Sequence, residues 1–247
     1  MKWWCVFKKE LRIYFGSFLA YALTAAFLVL SGYFFYTDLI FSDLFGTFSS
    51  ATSTLWQYYF LDLRFVTLLI IPLLTMRLFA EEKKLGTIEL IWTYPLGDPS
   101  IILGKFLGCF FIFGIMIACT LVYPLLLTLI YPLAWGPPLV GYLGVLLMGA
   151  AFIACGIFLS SLTENQVVSA FSTYGLLVLL WFVTWNEEAF GPELIAVVSR
   201  LSLFDRFEDF AKGVINTHDI TFFVVVTLVF LYFTVQSLES RKWRGMR

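Results

Sequence analysis

The sequence predicts an all-α fold: a polytopic membrane bundle of six transmembrane helices. An amphipathic interfacial helix precedes them, and a short cytoplasmic helix lies between spans 2 and 3. Three observations carry this expectation. Of 247 residues, 60% are hydrophobic and only 13% charged, against roughly 45–50% and 25% in soluble proteins, and a soluble fold of this size has too little interior for so much apolar surface. The apolar residues gather in six stretches close to the roughly 17–25 residues that a bilayer demands. The basic residues fall mostly on one side of the resulting arrangement.

Residues 1–16 form the interfacial helix. Trp3, Phe7, Leu11 and Tyr14 recur at helical spacing while Lys8, Lys9 and Arg12 cluster apart, which suits a helix lying at a membrane surface. Span 1 covers 17–36. Its apolar core resembles that of a signal peptide, but Ser31-Gly32 runs straight into Tyr33-Phe34-Phe35-Tyr36 with no cleavage site, so an uncleaved span is expected. Span 2, at 65–80, is short and contains Pro72 and Arg77. A cytoplasmic segment follows at 81–100, then span 3 at 106–130. A turn at Trp135-Gly136-Pro137-Pro138 leads to span 4 at 139–161 and span 5 at 167–185. Residues 186–218 are an outer amphipathic segment in which Leu203, Phe207, Phe210 and Val214 share one helical face, and span 6 is 220–237. Residues 1–247 thus read as a single transmembrane domain.

Twelve bases (Lys2, Lys8, Lys9, Arg12, Arg77, Lys83, Lys84, Lys105, Arg241, Lys242, Arg244 and Arg247) lie on one side of this arrangement. Four (Arg64, Arg200, Arg206 and Lys212) lie on the other, so the positive-inside rule places both termini in the cytoplasm. In a cysteine-free background, a single cysteine at Asn186 is expected to react with an impermeant reagent added to intact cells, and one at Gly245 to stay silent. The reverse pattern would overturn the orientation.

Catalytic and metal motifs are missing from the sequence. The only histidine is His218, so neither an HExxH zinc helix nor a Ser/His/Asp set can be assembled. Cys5, Cys109, Cys119 and Cys155 form no CxxC pair. Gly97 to Gly104-Lys105 has the wrong spacing for a phosphate loop, and Phe106 stands where Ser or Thr would bind magnesium. The expectation is a non-catalytic chain with no metal site, no cofactor of its own and no nucleic-acid groove. The span interiors hold almost no ionisable group of the kind that proton or sodium coupling uses. Any transport would draw its energy from outside this chain.

The informative stretch follows span 2. Arg77 precedes Glu81-Glu82-Lys83-Lys84, Gly86-Thr87 breaks the helix, Thr87 has a hydroxyl able to cap a new one, Glu89 lies in that helix's first turn, and Pro95 closes it. Arg77, Glu81, Glu82, Lys83, Gly86, Thr87, Glu89 and Pro95 resemble the signature of ABC-2 type permeases, in particular the group that includes the gliding-motility permease. That likeness covers essentially the whole chain, including Leu201 to Phe210 with Gly213-Val214-Ile215 before the last span.

The resemblance implies the membrane subunit of an ATP-driven transporter, most often an exporter, in the plasma membrane of a bacterium or archaeon. It implies a second permease subunit, identical or related, surrounding lipid, and separate ABC ATPase subunits that bind ATP-Mg and meet the eight residues just named. By the same likeness the translocation path and dimer seam involve span 1, with Tyr21 and Tyr33, and span 5, with Ser169, Ser172 and Thr173. Gly104 with Gly108 and Ala150 with Ala154 are spaced for close helix approach, which serves a dimer seam and packing within one subunit equally. The competing class is a non-transport membrane scaffold or assembly protein of an envelope or motility complex, which gives no reason for Glu-Glu-Lys followed by Gly-Thr.

Overall fold

A computed structural model describes residues 2–44, 52–87, 97–129, 135–182 and 202–244, and it is helical throughout those residues apart from short turns. The N-terminal helix α1 is Lys2–Phe15 and is followed by α2, Phe18–Leu44. Helix α3, Thr52–Thr75, leads through Met76 into the short α4, Arg77–Lys84. Then come α5, Asp98–Thr120, and its short continuation α6, Val122–Thr128. Helix α7 is Gly136–Leu162, α8 is Gln166–Phe182, α9 is Leu203–Ala211 and α10 is Thr217–Arg244. Among the described residues, five helical stretches are long and apolar enough to cross a membrane: Phe18–Phe41, Leu55–Lys84, Asp98–Thr128, Gly136–Leu162 and Thr217–Ser240. Expected span 5 appears as the shorter apolar helix Gln166–Trp181, and residues 183–185 lie outside the described ones. The protein is an all-α, multi-pass membrane bundle.

Helix α7 is the hub. It packs against α3, α5, α8, α9 and α10, and Val145, Met148, Phe152, Ile153 and Cys155 along it have no exposed surface. Hydropathy places its start after the Gly-Pro-Pro turn, yet the helix begins at Gly136 with the prolines in its first turn, where a missing N–H costs nothing. Helices α2 and α8 both lean on α3, while α10 lies on α7 and α5.

Span 2 begins ten residues earlier than expected. Leu55, Trp56, Tyr59, Phe60 and Leu63 are buried at three- and four-residue intervals and continue through Val66, Ile70, Ile71 and Leu74. Asp62 and Arg64 interrupt the hydropathy there without interrupting the periodicity, because they lie on the flanking face. The extra turns feed an aromatic cluster. Trp56 and Tyr59 meet Phe35 of α2 at 6.0 and 5.7 Å between ring centres, and Phe60 meets Tyr142 of α7 at 5.1 Å. Tyr59 shares a 2.9 Å hydrogen bond with Ser31, so its hydroxyl is satisfied in the interior.

Helix α9 also departs from its pattern at one residue. Ser202 caps it by accepting from the Asp205 N–H at 3.1 Å, and Leu203, Phe207 and Phe210 are buried as expected, together with Phe204. Val214 is half exposed instead. The helix stops at Ala211 and Gly213 adopts φ +81°, so Val214 turns back to donate its N–H to Asp209 at 2.9 Å. That is a left-handed helix closure that glycine makes readily. Arg206 then ties α9 to α10 through Asp219 at 2.8 Å and lies 4.4 Å from the Phe222 ring centre.

Candidate functional site

The basic end of the bundle carries Arg77, Glu81, Glu82, Lys83, Gly86 and Thr87, six of the eight residues singled out around the charged stretch. Helix α4 lies there between α1, α5 and the end of α7, and its two ends are fixed in different ways. At the N-terminus, Met76 supplies no side-chain cap. A hydroxyl from another helix does so: Ser160 Oγ of α7 accepts the N–H groups of Phe79 and Ala80, both at 3.1 Å, and donates to the Met76 carbonyl at 3.1 Å. Phe79 and Ala80 are the third and fourth residues of α4, whose N–H groups have no partner within the helix. Ser160→Ala would leave both donors buried and unpaired, so it is expected to destabilise the bundle by about 1–3 kcal/mol, read as a lower melting temperature of the detergent-solubilised protein. An unchanged melting temperature would remove Ser160 from this role.

At the C-terminus of α4, Lys83 is buried and its Nζ donates to the Ser161 carbonyl in the last turn of α7, where a cation complements the helix dipole. Gly86 then closes α4 with φ +70°, its N–H donating to the Lys83 carbonyl at 3.1 Å. Thr87 turns its hydroxyl back onto the Glu82 carbonyl at 3.3 Å. It thereby serves the end of α4; the helix it was expected to cap, with Glu89 and Pro95, lies outside the described residues.

A buried ion cluster joins α4 to its neighbours. Lys105 Nζ, near the start of α5, lies 2.9 Å from Glu10 Oε1 of α1 and 2.9 Å from Glu82 Oε2 of α4, and donates to the Leu78 carbonyl at 2.6 Å. The Lys105 and Glu10 side chains are 1% and 4% exposed. Lys9 closes the group from outside, 2.8 Å from Glu82 Oε1, with its side chain half exposed. Arg77 lies 3.4 Å from Glu81 and donates to Ser17 Oγ at 2.8 Å, pinning the α1–α2 corner. Tyr14 donates to the Leu74 carbonyl at 3.0 Å, and burial, with Cys109 and Glu10 nearby, holds its hydroxyl well above the usual phenol pKa, so it remains a neutral donor. These side chains border a cavity of about 520 Å³ shared by α1, α4 and the turn after it.

Close backbone approach makes the cluster possible. A Cβ at Gly104 would lie 2.6 Å from Val6 Cβ, and one at Gly108 would lie 2.8 Å from Glu10 Cβ. The Gly104/Gly108 stripe is therefore the bed of α1 within one subunit.

The cluster brings Glu82 together with Glu10, Lys9 and Lys105, three residues that the sequence pattern did not mark. Glu10 had a detectable signal: it is the one acid of α1 and stands four residues from both Val6 and Tyr14, on the buried stripe. Ser160 and Ser161 had none, since two serines ending an apolar span resemble any boundary. Glu82→Lys would set a third cation beside Lys9 and Lys105, so it would disturb the cluster itself and not only an external contact. Glu81 and Lys84 keep the more exposed side chains of this helix.

The candidate path residues do not converge. Tyr21 and Tyr33 are 57% and 61% exposed along α2, Ser172 is exposed on α8, and Ser169 and Thr173 are fully buried. Thr173 donates to the Ser169 carbonyl at 2.8 Å, and Tyr174 donates to the Leu69 carbonyl of α3.

Among the described residues no group of three or more His, Cys, Asp or Glu is placed to hold a metal. A family model described as ABC-2 family transporter protein matches residues 40–233, from the end of α2 into α10. The chain belongs to the ABC-2 transporter family. No curated protein matches it. Family membership makes this ABC-2 protein a membrane permease component of an ABC transporter and implies an ABC ATPase as its partner.

Proposed function

We propose that the chain is one membrane half of an ATP-driven exporter, that two such halves enclose the path, and that the α4 end is where the ATPase delivers its stroke from the cytoplasm. The observation that carries the coupling is the ion cluster. Because Lys105 ties Glu82 of α4 to Glu10 of α1, a push on the turn after α4 moves α1, α4 and α5 as one body, which is how small displacements become rigid-body movement. Arg77, Glu81, Lys83, Gly86 and Thr87 shape that body; Glu89 and Pro95, outside the described residues, are proposed as ATPase contacts on the family resemblance alone. The permease itself holds no phosphate-binding loop, so ATP-Mg acts on the partner.

The pairing surface is the side formed by α2, α3 and α8. Helix α2 presents Tyr21, Val29, Tyr33 and Tyr36, and α8 presents Phe171, Ser172 and Leu179. Gly175 of α8 has open space around it, as a close-approach position between two subunits requires. Ser169 and Thr173, by contrast, serve packing inside the subunit.

Purification from native membranes in mild detergent tests the reading. An ABC ATPase and a second permease copy or relative are expected to co-purify, and the permease freed of that ATPase is expected to hydrolyse no ATP. Absence of any ATPase together with hydrolysis by the chain alone would refute it.

A further inference from the structure

A second cavity lies on the opposite flank of α1 from the ion cluster. It has a volume of about 510 Å³ and runs between α1 and α5, lined among others by Trp3, Phe7, Phe110, Phe111, Gly114 and Leu146. Its floor is Gly114, where an added Cβ would meet nothing within 4 Å. Because Phe110, Phe111 and Gly114 belong to a helix that crosses the membrane, hydrocarbon is what reaches this groove.

At its mouth the chemistry changes. Phe7 meets Phe111 edge-on at 6.0 Å, Trp4 stacks on Phe7 at 5.1 Å, and the Lys8 ammonium lies 5.5 Å from the Trp4 ring centre. Arg12 is exposed one turn further along α1. The acid of this helix, Glu10, is turned away and neutralised by Lys105, and Lys9 is drawn to Glu82. The exposed charge beside the groove is therefore cationic, carried by Lys8 and Arg12 on the same flank as the half-exposed Trp4 and Phe15.

We propose that this groove is a binding site for an anionic phospholipid: one acyl chain lies along Phe110, Phe111 and Gly114, and the phosphate-bearing headgroup is held by Lys8 and Arg12. Trp4 stands between the two, an amphipathic ring at the boundary between hydrocarbon and headgroup. The chemistry selects an anionic headgroup because a zwitterionic one brings its own cation to two bases whose own helix exposes no acid, Glu10 being buried. The site is independent of what the protein transports, and it gives α1 a second anchor beyond the ion cluster.

The test uses the full-length protein reconstituted in nanodiscs of equal parts phosphatidylglycerol and phosphatidylcholine, then extracted and analysed for retained lipid by native mass spectrometry. The wild type is expected to retain one phosphatidylglycerol with a preference of up to roughly thirtyfold over phosphatidylcholine, the scale set by two surface bases. Lys8→Gln with Arg12→Gln should reduce that preference to less than about twofold. Gly114→Leu, whose Cβ would meet nothing within 4 Å, places a side chain in the groove and should abolish retention while the melting temperature of the delipidated protein holds. Equal retention of the two lipids by the wild type would overturn the proposal. So would retention by Gly114→Leu at the wild-type level, because binding would then be surface attraction without a seated chain.

Discussion

Lys105→Met destabilises the protein by about 3–5 kcal/mol, the penalty for leaving buried charge without its counter-ion. Both Glu10 and Glu82 would lose the ammonium 2.9 Å away, and neither has water in quantity to replace it, with side chains 4% and 13% exposed. The Leu78 carbonyl would lose its 2.6 Å donor, and Phe79 the cation 5.0 Å from its ring centre. The first consequence should be release of α1 from α5, seen as new accessibility of a cysteine placed at Val6 and as a lower melting temperature. Adding Glu10→Gln to Lys105→Met removes one of the stranded charges and should recover a good part of the loss. Lys9→Ala is the control: its half-exposed bridge to Glu82 is worth about 0–1 kcal/mol. A change under about 1 kcal/mol for Lys105→Met would show that the cluster does not hold α1 in place, since a functional buried pair cannot be removed so cheaply.

Gly86→Val is expected to uncouple the permease from its ATPase while leaving the bundle assembled. The backbone at Gly86 has φ +70°, a conformation costing an ordinary L-residue roughly 1–2 kcal/mol and a β-branched one more. Space is not the obstacle, since a Cβ there meets nothing within 4 Å; the strain is entirely in the main chain. Valine relieves it by changing the direction in which the chain leaves α4, and so re-aims the segment after Thr87. Transport-coupled ATP hydrolysis should fall at least about tenfold, the change that a 1.4 kcal/mol misfit produces, with the melting temperature near that of wild type. Gly86→Asn, which tolerates the left-handed region, should retain most of the coupling. Wild-type coupled hydrolysis by Gly86→Val would refute the role given to this turn.

Much of the bundle was legible because membrane spans announce themselves through length and hydropathy. The start of α3 was not, since Asp62 and Arg64 lower the average of any window containing them. Its burial at Leu55, Trp56, Tyr59, Phe60 and Leu63 was written in the spacing, which a hydropathy average discards. The turn at Gly86 was readable for the same local reason as any Gly-Thr break, and it has the positive φ that glycine permits. The ion cluster was only half readable. Glu82 stood out in its charged run, but its partners come from positions 9, 10 and 105, and no local pattern brings such distant residues together. Gly104 and Gly108 advertised a close approach without naming who approaches; α1 of the same chain does.

The cap on α4 has a consequence for how the protein is made. Helix α4 leaves the ribosome about eighty residues before Ser160, whose hydroxyl receives its two free N–H groups, and before Ser161, whose carbonyl receives Lys83. During synthesis α4 therefore stays unfinished until the helix carrying both serines has been inserted. The basic end around α4 is completed only when the helix behind it has been inserted. Chains arrested before residue 160 should insert their first three spans yet leave this segment open to proteases that spare the full-length protein, since unpaired backbone donors keep it locally unfolded.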